Sequence, residues 1–569
     1  MIICSFLLSA LTFQARMVSP YAQLREAYVK LDPVAAANAY AENAVYKEAF
    51  AGFPSVTRTG KLEIQRGFAT FFGSLAKPNR ETKLDVNFRL TSSKEGDDSG
   101  IYRLRVGYSG QKQFANYYGS FHTKIVDGKF ILDSSSNGTV ADFENATGPV
   151  LINPDDETLD ASYYDQLIGE FVGKDVTSIL VTRSGRRLWA LNESTNQWRG
   201  LSRESGMVWK APKDNVLGST LSDTYVFSSQ GREVKIVTPS TTIQLHKAEN
   251  VKREPVQFRS GKLMLSGEIL RPTKSKVPLP AVVIIHGSGG QDRHGYASVI
   301  ELIAMQFVRS GYVALTFDKR GFGLSEGDLG SAGFPQLAED VRSGEAYLRT
   351  RSDVRKDFVG YAGSSQAGWI AAQAIADKGQ PAFVFLLGAA GAASTVEEQN
   401  LYNTRIRMET ANISQSNIAL ALDQQRAFFA ARRDRSVEPN LAKISERANQ
   451  HSELNGWLFP ATATPGSEPD WYDVLDPDFD PLPIWRSYKG KSLFVFSKFD
   501  DSTDTSLVTK RLATLPKSKH REVKVLPKSQ HLGLIAESVK VTDFEHVSSF
   551  DPMLWPQLRS WAKRIASLR

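Results

Sequence analysis

The segment Gly363-Ser364-Ser365-Gln366-Ala367-Gly368 follows an apolar run, Asp357–Ala362, and leads into a helical pattern at Gly368-Trp369-Ile370-Ala371-Ala372. A serine raised on a sharp strand-to-helix corner needs small residues two places before and two places after it. Larger ones would collide with the neighbouring strand and helix. Gly363 and Ala367 stand at that spacing around Ser365, which is the expected nucleophile, with Ser364 as the alternative one register earlier. A serine hydroxyl also needs a base and a stabiliser for developing negative charge. His286-Gly287-Ser288-Gly289-Gly290 follows the apolar run Ala281–Ile285, and its glycines let the backbone bend so that an N–H faces an oxyanion. The expected oxyanion donors are the amides of Ser288 (Gly289 as alternate) and Gln366. The chemistry these groups would serve is nucleophilic catalysis by a serine.

When the serine sits on such a corner, the acid and then the histidine follow it in the chain. Four histidines come after Ser365: His451, His520, His531 and His546. His531 follows the run Glu522–Leu526 after a short loop, at a strand end, and is the expected general base, with His546 second. The acid should follow the run Ser492–Ser497. The loop there reads Lys498-Phe499-Asp500-Asp501-Ser502-Thr503-Asp504, and Asp500 best fits the spacing, ahead of Asp501 and Asp504. A buried carboxylate there would orient the imidazole and stabilise its charged form. His286 and the Asp318/Arg320 pair read as structural, and Arg293 as a residue that could edge the pocket.

These groups require elements to hold them. From Pro255 onward, apolar runs at Ala281–Ile285, Tyr312–Phe317, Asp357–Ala362, Phe383–Leu387 and Ser492–Ser497 alternate with helical stretches such as Ala297–Ser310 and Gln336–Arg351. That alternation calls for an α/β fold, a doubly wound and mostly parallel sheet covered on both faces. About 90 residues, roughly 394–483, interrupt it and are expected to form a helical cap over the strand ends that carry ligands. This cap holds Arg405, Arg407, Arg426, Arg432, Arg433 and Arg435, with Phe428, Phe429, Trp457, Trp471 and Tyr472, and could form a cationic mouth. Ahead of it, 155–250 reads as a small antiparallel β-rich module containing His246. Residues 20–148 read as helices (Tyr21–Leu31, Pro33–Tyr40, Gly60–Phe72) followed by a curved antiparallel sheet, an α+β cone with His122 and Asp133 on its strands.

At 569 residues the chain is too long for one ordinary domain. Lys plus Arg number 69 against 62 Asp plus Glu, a net +7 without a dense basic run, so no nucleic-acid partner is expected. Cys4 is the sole cysteine, which excludes an intramolecular disulfide and a cysteine cluster. Ile2–Phe13 is apolar and too short to span a bilayer. It fits the core of a signal peptide, making 1–19 a leader and linker, with a secreted or periplasmic destination and a cytoplasmic one as the alternative. No membrane span, metal or cofactor is expected.

Residues 255–569 resemble the α/β-hydrolase superfamily, specifically its bacterial serine esterase branch. The resemblance rests on His286-Gly287-Ser288-Gly289-Gly290-Gln291-Asp292-Arg293, Phe317-Asp318-Lys319-Arg320-Gly321-Phe322-Gly323-Leu324-Ser325, the serine corner and Asp480-Pro481. It implies hydrolysis of small or medium acyl esters, a small-molecule substrate, and Ser365, Asp500 and His531 as a triad without cofactor. The segment Tyr40–Tyr46, Gly60 and the hairpin around Asp127-Gly128 resemble the SnoaL-like, nuclear-transport-factor-like cones, which implies pairing of two copies through the sheet. Tyr163–Val172 is similar to the start of small lipocalin-like modules. Other readings stay open: a serine peptidase of the prolyl-oligopeptidase type, a thioesterase or lactonase, and a ligand-binding protein with a decayed hydrolase domain.

Overall fold

The computed structural model describes residues 20–49, 56–75, 82–94, 96–108, 114–137, 164–174, 178–184, 187–205, 207–212, 221–329, 331–454, 457–462, 476–539 and 548–567. The expected leader 1–19, Trp471, Tyr472 and His546 lie outside them. The chain divides into two compact units, Met1–Asp160 and Ala161–Arg569. Among the described residues no helix is long and apolar enough to cross a membrane.

In the first unit, helices Pro20–Lys30, Pro33–Ala37 and Lys61–Leu75 pack on a six-stranded sheet. Its strands are β1 (Tyr40–Ala49), β2 (Val56–Thr59), β3 (Thr82–Lys94), β4 (Asp97–Tyr108), β5 (Phe114–Val126) and β6 (Lys129–Asn137), in the order β2-β1-β6-β5-β4-β3. The helix expected to reach Tyr40 stops at Ala37, and β1 begins at Tyr40. The reason is tertiary: β1 pairs with β6 in parallel, and Tyr40 is buried with its hydroxyl bonded to Asp133. Burial pushes the Asp133 carboxyl up to about 6 against the pull of that hydrogen bond. His122 instead sits at the half-exposed surface, 2.7 Å from Asp97.

The second unit opens with a closed eight-stranded antiparallel barrel. Its strands are β7 (Gly169–Val172), β8 (Ser178–Ser184), β9 (Arg187–Asn192), β10 (Gln197–Ser205), β11 (Val208–Pro212), β12 (Leu221–Phe227), β13 (Glu233–Val237) and β14 (Thr242–Lys247). Each strand pairs with the next, and β14 returns to β7, so no open edge remains. His246 is exposed beside Glu233. The barrel shares a core with the C-terminal part of the same unit. Trp189 stacks on Trp198 at 4.2 Å, Trp198 packs against Phe550, and the Trp198 amide donates to the Ser548 carbonyl. A cleft of about 510 Å³ runs along this seam, lined by Glu170, Glu193, Arg309 and Arg559 among others, and these charges pair with one another.

The main sheet comprises β15 (Val251–Ser260), β16 (Leu263–Pro272), β17 (Leu279–Ile285), β18 (Val313–Phe317), β19 (Val354–Ser364), β20 (Phe383–Leu387), β21 (Lys491–Ser497) and β22 (Arg521–Leu526). The order is β15-β16-β18-β17-β19-β20-β21-β22, antiparallel at β15/β16 and β16/β18 and parallel from β18 onward. Strand periodicity divides its side chains between two cores. Val283, Ile285, Val384 and Leu386 join the cluster under helices Phe334–Thr350 and Ala367–Ala376. Val282, Ile284, Phe383 and Phe385 join the opposite one, under Val299–Arg309 and Leu554–Ser567. Burial on both faces explains why these strands read as unbroken apolar runs rather than alternating ones. Between β20 and β21, helices Val396–Thr410, Gln415–Arg433 and Glu438–Asn449 form the insertion, with its own aromatic core of Phe428, Phe429 and Phe459.

Candidate active site

Ser365 stands just past the end of β19 with φ of 55°, a left-handed conformation that a non-glycine residue adopts only when its surroundings impose it. The imposing contacts are visible. Its amide donates to the Leu387 carbonyl at 3.0 Å, and the helix Ala367–Ala376 begins two residues later. A Cβ on Gly363 would stand 2.4 Å from the Ile285 carbonyl oxygen and 2.6 Å from the Ala367 Cβ, so space requires glycine at 363, directly against Ala367. Ser364 is buried in the strand, opposite Leu387, whereas Ser365 is half-exposed. Position therefore favours Ser365 over its neighbour.

His531 and Asp500 meet. The imidazole Nδ1 lies 2.9 Å from Asp500 Oδ1 and 3.0 Å from Oδ2. Oδ1 also accepts from the Ser502 and Thr503 amides, each at 2.8 Å. Burial alone would lower the His531 pKa, but the charge and hydrogen bond of Asp500 outweigh it and hold the ring above its ordinary 6.5. Asp501 accepts from the Ser502 hydroxyl, and Asp504 caps the helix Thr505–Ala513 through the Leu507 amide. Neither is hydrogen-bonded to the imidazole, although the charge of Asp501 adds to that of Asp500 in raising it. His520 lies before β22, and His451 lies in the insertion.

Hydrogen bonds between strand ends bring these three loops together. Ser365 binds Leu387, and the next residue, Gly388, donates to Val495 and accepts from the Thr503 hydroxyl at 2.9 Å. The Phe499 amide donates to the Ser529 carbonyl, tying the acid loop to the histidine loop. A Cβ on Gly388 would lie 3.2 Å from His531 Nδ1, so Gly388 separates the serine corner from the imidazole by little more than a backbone thickness.

The turn after β17 closes the site. A Cβ on Gly287 would stand 3.5 Å from the Ser365 Cβ, so this turn passes directly beside the serine. Ser288 and Gly289 are exposed there. Among the described residues, neither the Ser288 amide nor the Gln366 amide donates to a protein acceptor, and Gln366 heads a helix whose free N–H groups favour an anion. His286 points away from the chemistry. It is buried against Phe317, bonds the Asp292 carbonyl, and is pushed down to about 3 by burial and then by the charge of Lys319.

Two possibilities raised by the sequence are not realised. Arg293 does not edge a pocket: it forks onto both oxygens of Asp318 and reaches the Gly267 carbonyl. Arg320 is likewise bidentate to Asp340, so the Asp318/Arg320 turn is structural, as expected. The cap arginines do not form a cationic mouth. Arg433 pairs with Asp478 and Glu397, Arg426 with Asp423 and Arg435 with Glu438, while Arg405 and Arg432 lie over the rings of Tyr402 and Phe428. Arg407 is exposed, and its charge lowers the His531 pKa against the pull of Asp500.

Several residues at the site escaped the sequence reading. Tyr402 and Asn403, on the cap helix Val396–Thr410, donate to the Asp500 and Asp501 carbonyls at 2.7 and 3.1 Å, and Gln399 to Ser502. Gln291 donates to the Ser288 carbonyl at 2.7 Å. Lys319 turns inward beneath the same turn. A lysine in the loop two places past an apolar strand carries no local pattern that marks it as buried.

A family model described as X-Pro dipeptidyl-peptidase (S15 family) matches residues 261–479. The match includes the Ser288 turn and Ser365 but ends before Asp500 and His531. The quorum-quenching protein AidA of Acinetobacter baumannii (strain MDR-ZJ06) is 34% identical over 122 residues, 21% of this chain and 38% of that protein. YtaP of Bacillus subtilis (strain 168) is 30% identical over 121 residues, 18% of this chain and 40% of that protein. The chain thus spans less than half the length of these curated relatives. Among solved structures, it is similar to the alpha/beta hydrolase GrgF from Penicillium sp. sh18, at 17% identity and a TM-score of 0.35 over 56% of this chain and 100% of that one. It is also similar to a thermophilic esterase from Thermogutta terrifontis, at 14% identity and a TM-score of 0.32 over 55% and 100%. Strand order and serine corner make the region from β15 onward an α/β fold with a mostly parallel sheet, and the S15 family model matches part of it.

Proposed function

We propose that the protein is a serine hydrolase cleaving carboxylic esters of small or medium acyl groups, with Ser365 as nucleophile, His531 as general base, Asp500 as its orienting carboxylate and the Ser288 and Gln366 amides as oxyanion donors. The observation that carries this reading is the buried Asp500–His531 pair, set at adjacent strand ends beside a serine held at positive φ. Ser365 attacks the ester carbonyl carbon while His531 takes its proton. The two amides receive the charge on the carbonyl oxygen, where preorganised donors act most strongly. His531 then returns the proton to the departing alcohol, and later deprotonates the water that releases the acid and frees Ser365.

The S15 match favours a second reading, cleavage after an X-Pro pair by the same groups. A panel of p-nitrophenyl esters of rising chain length, run beside X-Pro p-nitroanilides and a thioester, separates the two. Turnover of esters with none of the anilide supports the esterase, and the reverse supports the peptidase. A fluorophosphonate probe should label the wild type and spare Ser365→Ala. Equal labelling of both would reject the Ser365 assignment, and no labelling of the wild type would favour the ligand-binding alternative.

For the first unit we propose pairing of two copies through the sheet β3–β6, the arrangement implied by its likeness to SnoaL-like cones. Light scattering on the full chain tests it, and a monomer mass at micromolar concentration would count against it.

A further inference from the structure

The Lys319 side chain is buried, 3% exposed, and its ammonium donates three hydrogen bonds: to the Gly287 carbonyl at 2.9 Å, to the Gly289 carbonyl at 3.0 Å and to Gln366 Oε1 at 3.0 Å. An ammonium has three N–H donors, so all are committed. No carboxylate lies within ion-pair distance of Nζ among the described residues; Asp340, the nearest influence of that kind, is held by Arg320. A buried cation without a close counter-ion is costly to keep, and burial pushes Lys319 down to about 7. Its three acceptors are not scattered. Two belong to the turn carrying Ser288, and the third to the residue after Ser365.

We propose that Lys319 is the positioning residue of the oxyanion hole, joining its two donor segments into one rigid unit. The inference rests on the serine-hydrolase reading of the same site. Its geometry comes from the planar trans peptide, in which the N–H points opposite to the C=O of the same unit. Holding the Gly287 carbonyl fixes the direction of the Ser288 N–H, which must aim away from Nζ. Gln291, bonded to the Ser288 carbonyl, secures the next peptide in the same way. Holding the Gln366 side chain anchors the second donor's residue to the same ammonium. Lys319 touches neither substrate nor nucleophile. It keeps two amides, from segments about 80 positions apart in the chain, at a separation that suits one oxygen atom.

The test compares Lys319→Met, Lys319→Gln and Arg320→Met with the wild type, by ester kinetics, fluorophosphonate labelling rate and melting temperature. Arg320→Met removes a buried cation from the same turn without touching either donor segment. If Lys319 aims the donors, Lys319→Met lowers kcat and the labelling rate by roughly 100-fold or more, the cost of losing an oxyanion donor, with KM within about threefold. Arg320→Met at equal loss of melting temperature should cost far less kcat. A kcat loss under tenfold, or one matched by Arg320→Met, overturns the proposal. Should Lys319→Met fail to fold, the same comparison is read on Lys319→Gln, whose amide keeps two donors. If the wild type is not labelled, or Ser365→Ala is labelled equally, the underlying reading fails and this inference falls with it. A labelled wild type with an unimpaired Lys319 variant refutes the inference alone.

Discussion

Asp500 presents both carboxylate oxygens to a single nitrogen of His531, with Nδ1 2.9 Å from Oδ1 and 3.0 Å from Oδ2. Burial pushes the Asp500 carboxyl up and His531 pulls it back down; when that carboxylate is ionised, the contact favours the tautomer with the proton on Nδ1 and the lone pair on Nε2. It also separates Asp500 from Asp501 and Asp504, whose carboxylates serve the loop itself.

Asp500→Asn should therefore lower kcat by roughly 10³–10⁴, because an amide no longer favours that tautomer or its protonated form. Asp501→Asn should stay within about tenfold of the wild type. Steady-state ester hydrolysis measures both, and the opposite ranking would move the acid role to Asp501.

In the proposed mechanism activity needs neutral His531, and Asp500 holds its folded pKa above 6.5. The acid limb of kcat/KM should thus have its midpoint above 6.5, with rate lost as pH falls through it. The linked stability runs the other way. A raised histidine pKa stabilises the fold below 6.5, and that stabilisation is lost as pH rises through the folded value. Arg407 opposes the shift, so Arg407→Ala should move the limb to higher pH. A limb that moves down instead would remove Arg407 from the electrostatics of the site.

Gly363→Ala places a methyl 2.4 Å from a backbone oxygen in the middle of the sheet. The corner must open to admit it. We expect about 1–3 kcal/mol of destabilisation by thermal or urea unfolding and a loss of fluorophosphonate labelling in whatever protein remains folded. Wild-type labelling in Gly363→Ala would show that the corner tolerates the methyl.

In the first unit, Asp133 carries a carboxyl raised by burial from 3.8 to about 6. A carboxyl raised in the fold binds its proton more tightly there than in the unfolded chain, so stability falls as pH climbs from about 4 to about 6 and stays lower above that. Asp133→Asn should remove up to about 3 kcal/mol of this pH dependence. Urea unfolding of the full chain at pH 4 and pH 7.5 reads the difference, and an unchanged gap between the two would place the titration elsewhere.

The main sheet was legible because its central strands are buried on both faces, which leaves apolar runs such as Ala281–Ile285 and Phe383–Leu387 standing out between helices. The serine corner was legible because steric crowding restricts both flanking positions to small residues. β15 and β16 were missed. They form the antiparallel end of the sheet, where runs such as Val251–Ser260 keep many exposed polar residues and carry no unbroken apolar signal. β1 was missed: the helix was carried through Tyr40 and 41–49 was given no element, because the partner strand β6 lies far along the chain. The barrel's β10 and β11, which pair with their neighbours in the chain, were also missed.

The amino-acid sequence by itself determined which residue types stand in catalytic order, Ser365 then Asp500 then His531, and which small residues make the corner feasible. Only the tertiary structure decided which carboxylate reaches the imidazole, that Arg293 is spent on Asp318, and that Lys319 turns beneath the oxyanion turn instead of facing water. The physical reason is range. Turn sterics and strand burial act over a few neighbouring residues and leave local patterns, whereas a hydrogen bond from Lys319 to Gly287 and Gln366 depends on three strand ends that meet only when the sheet is assembled.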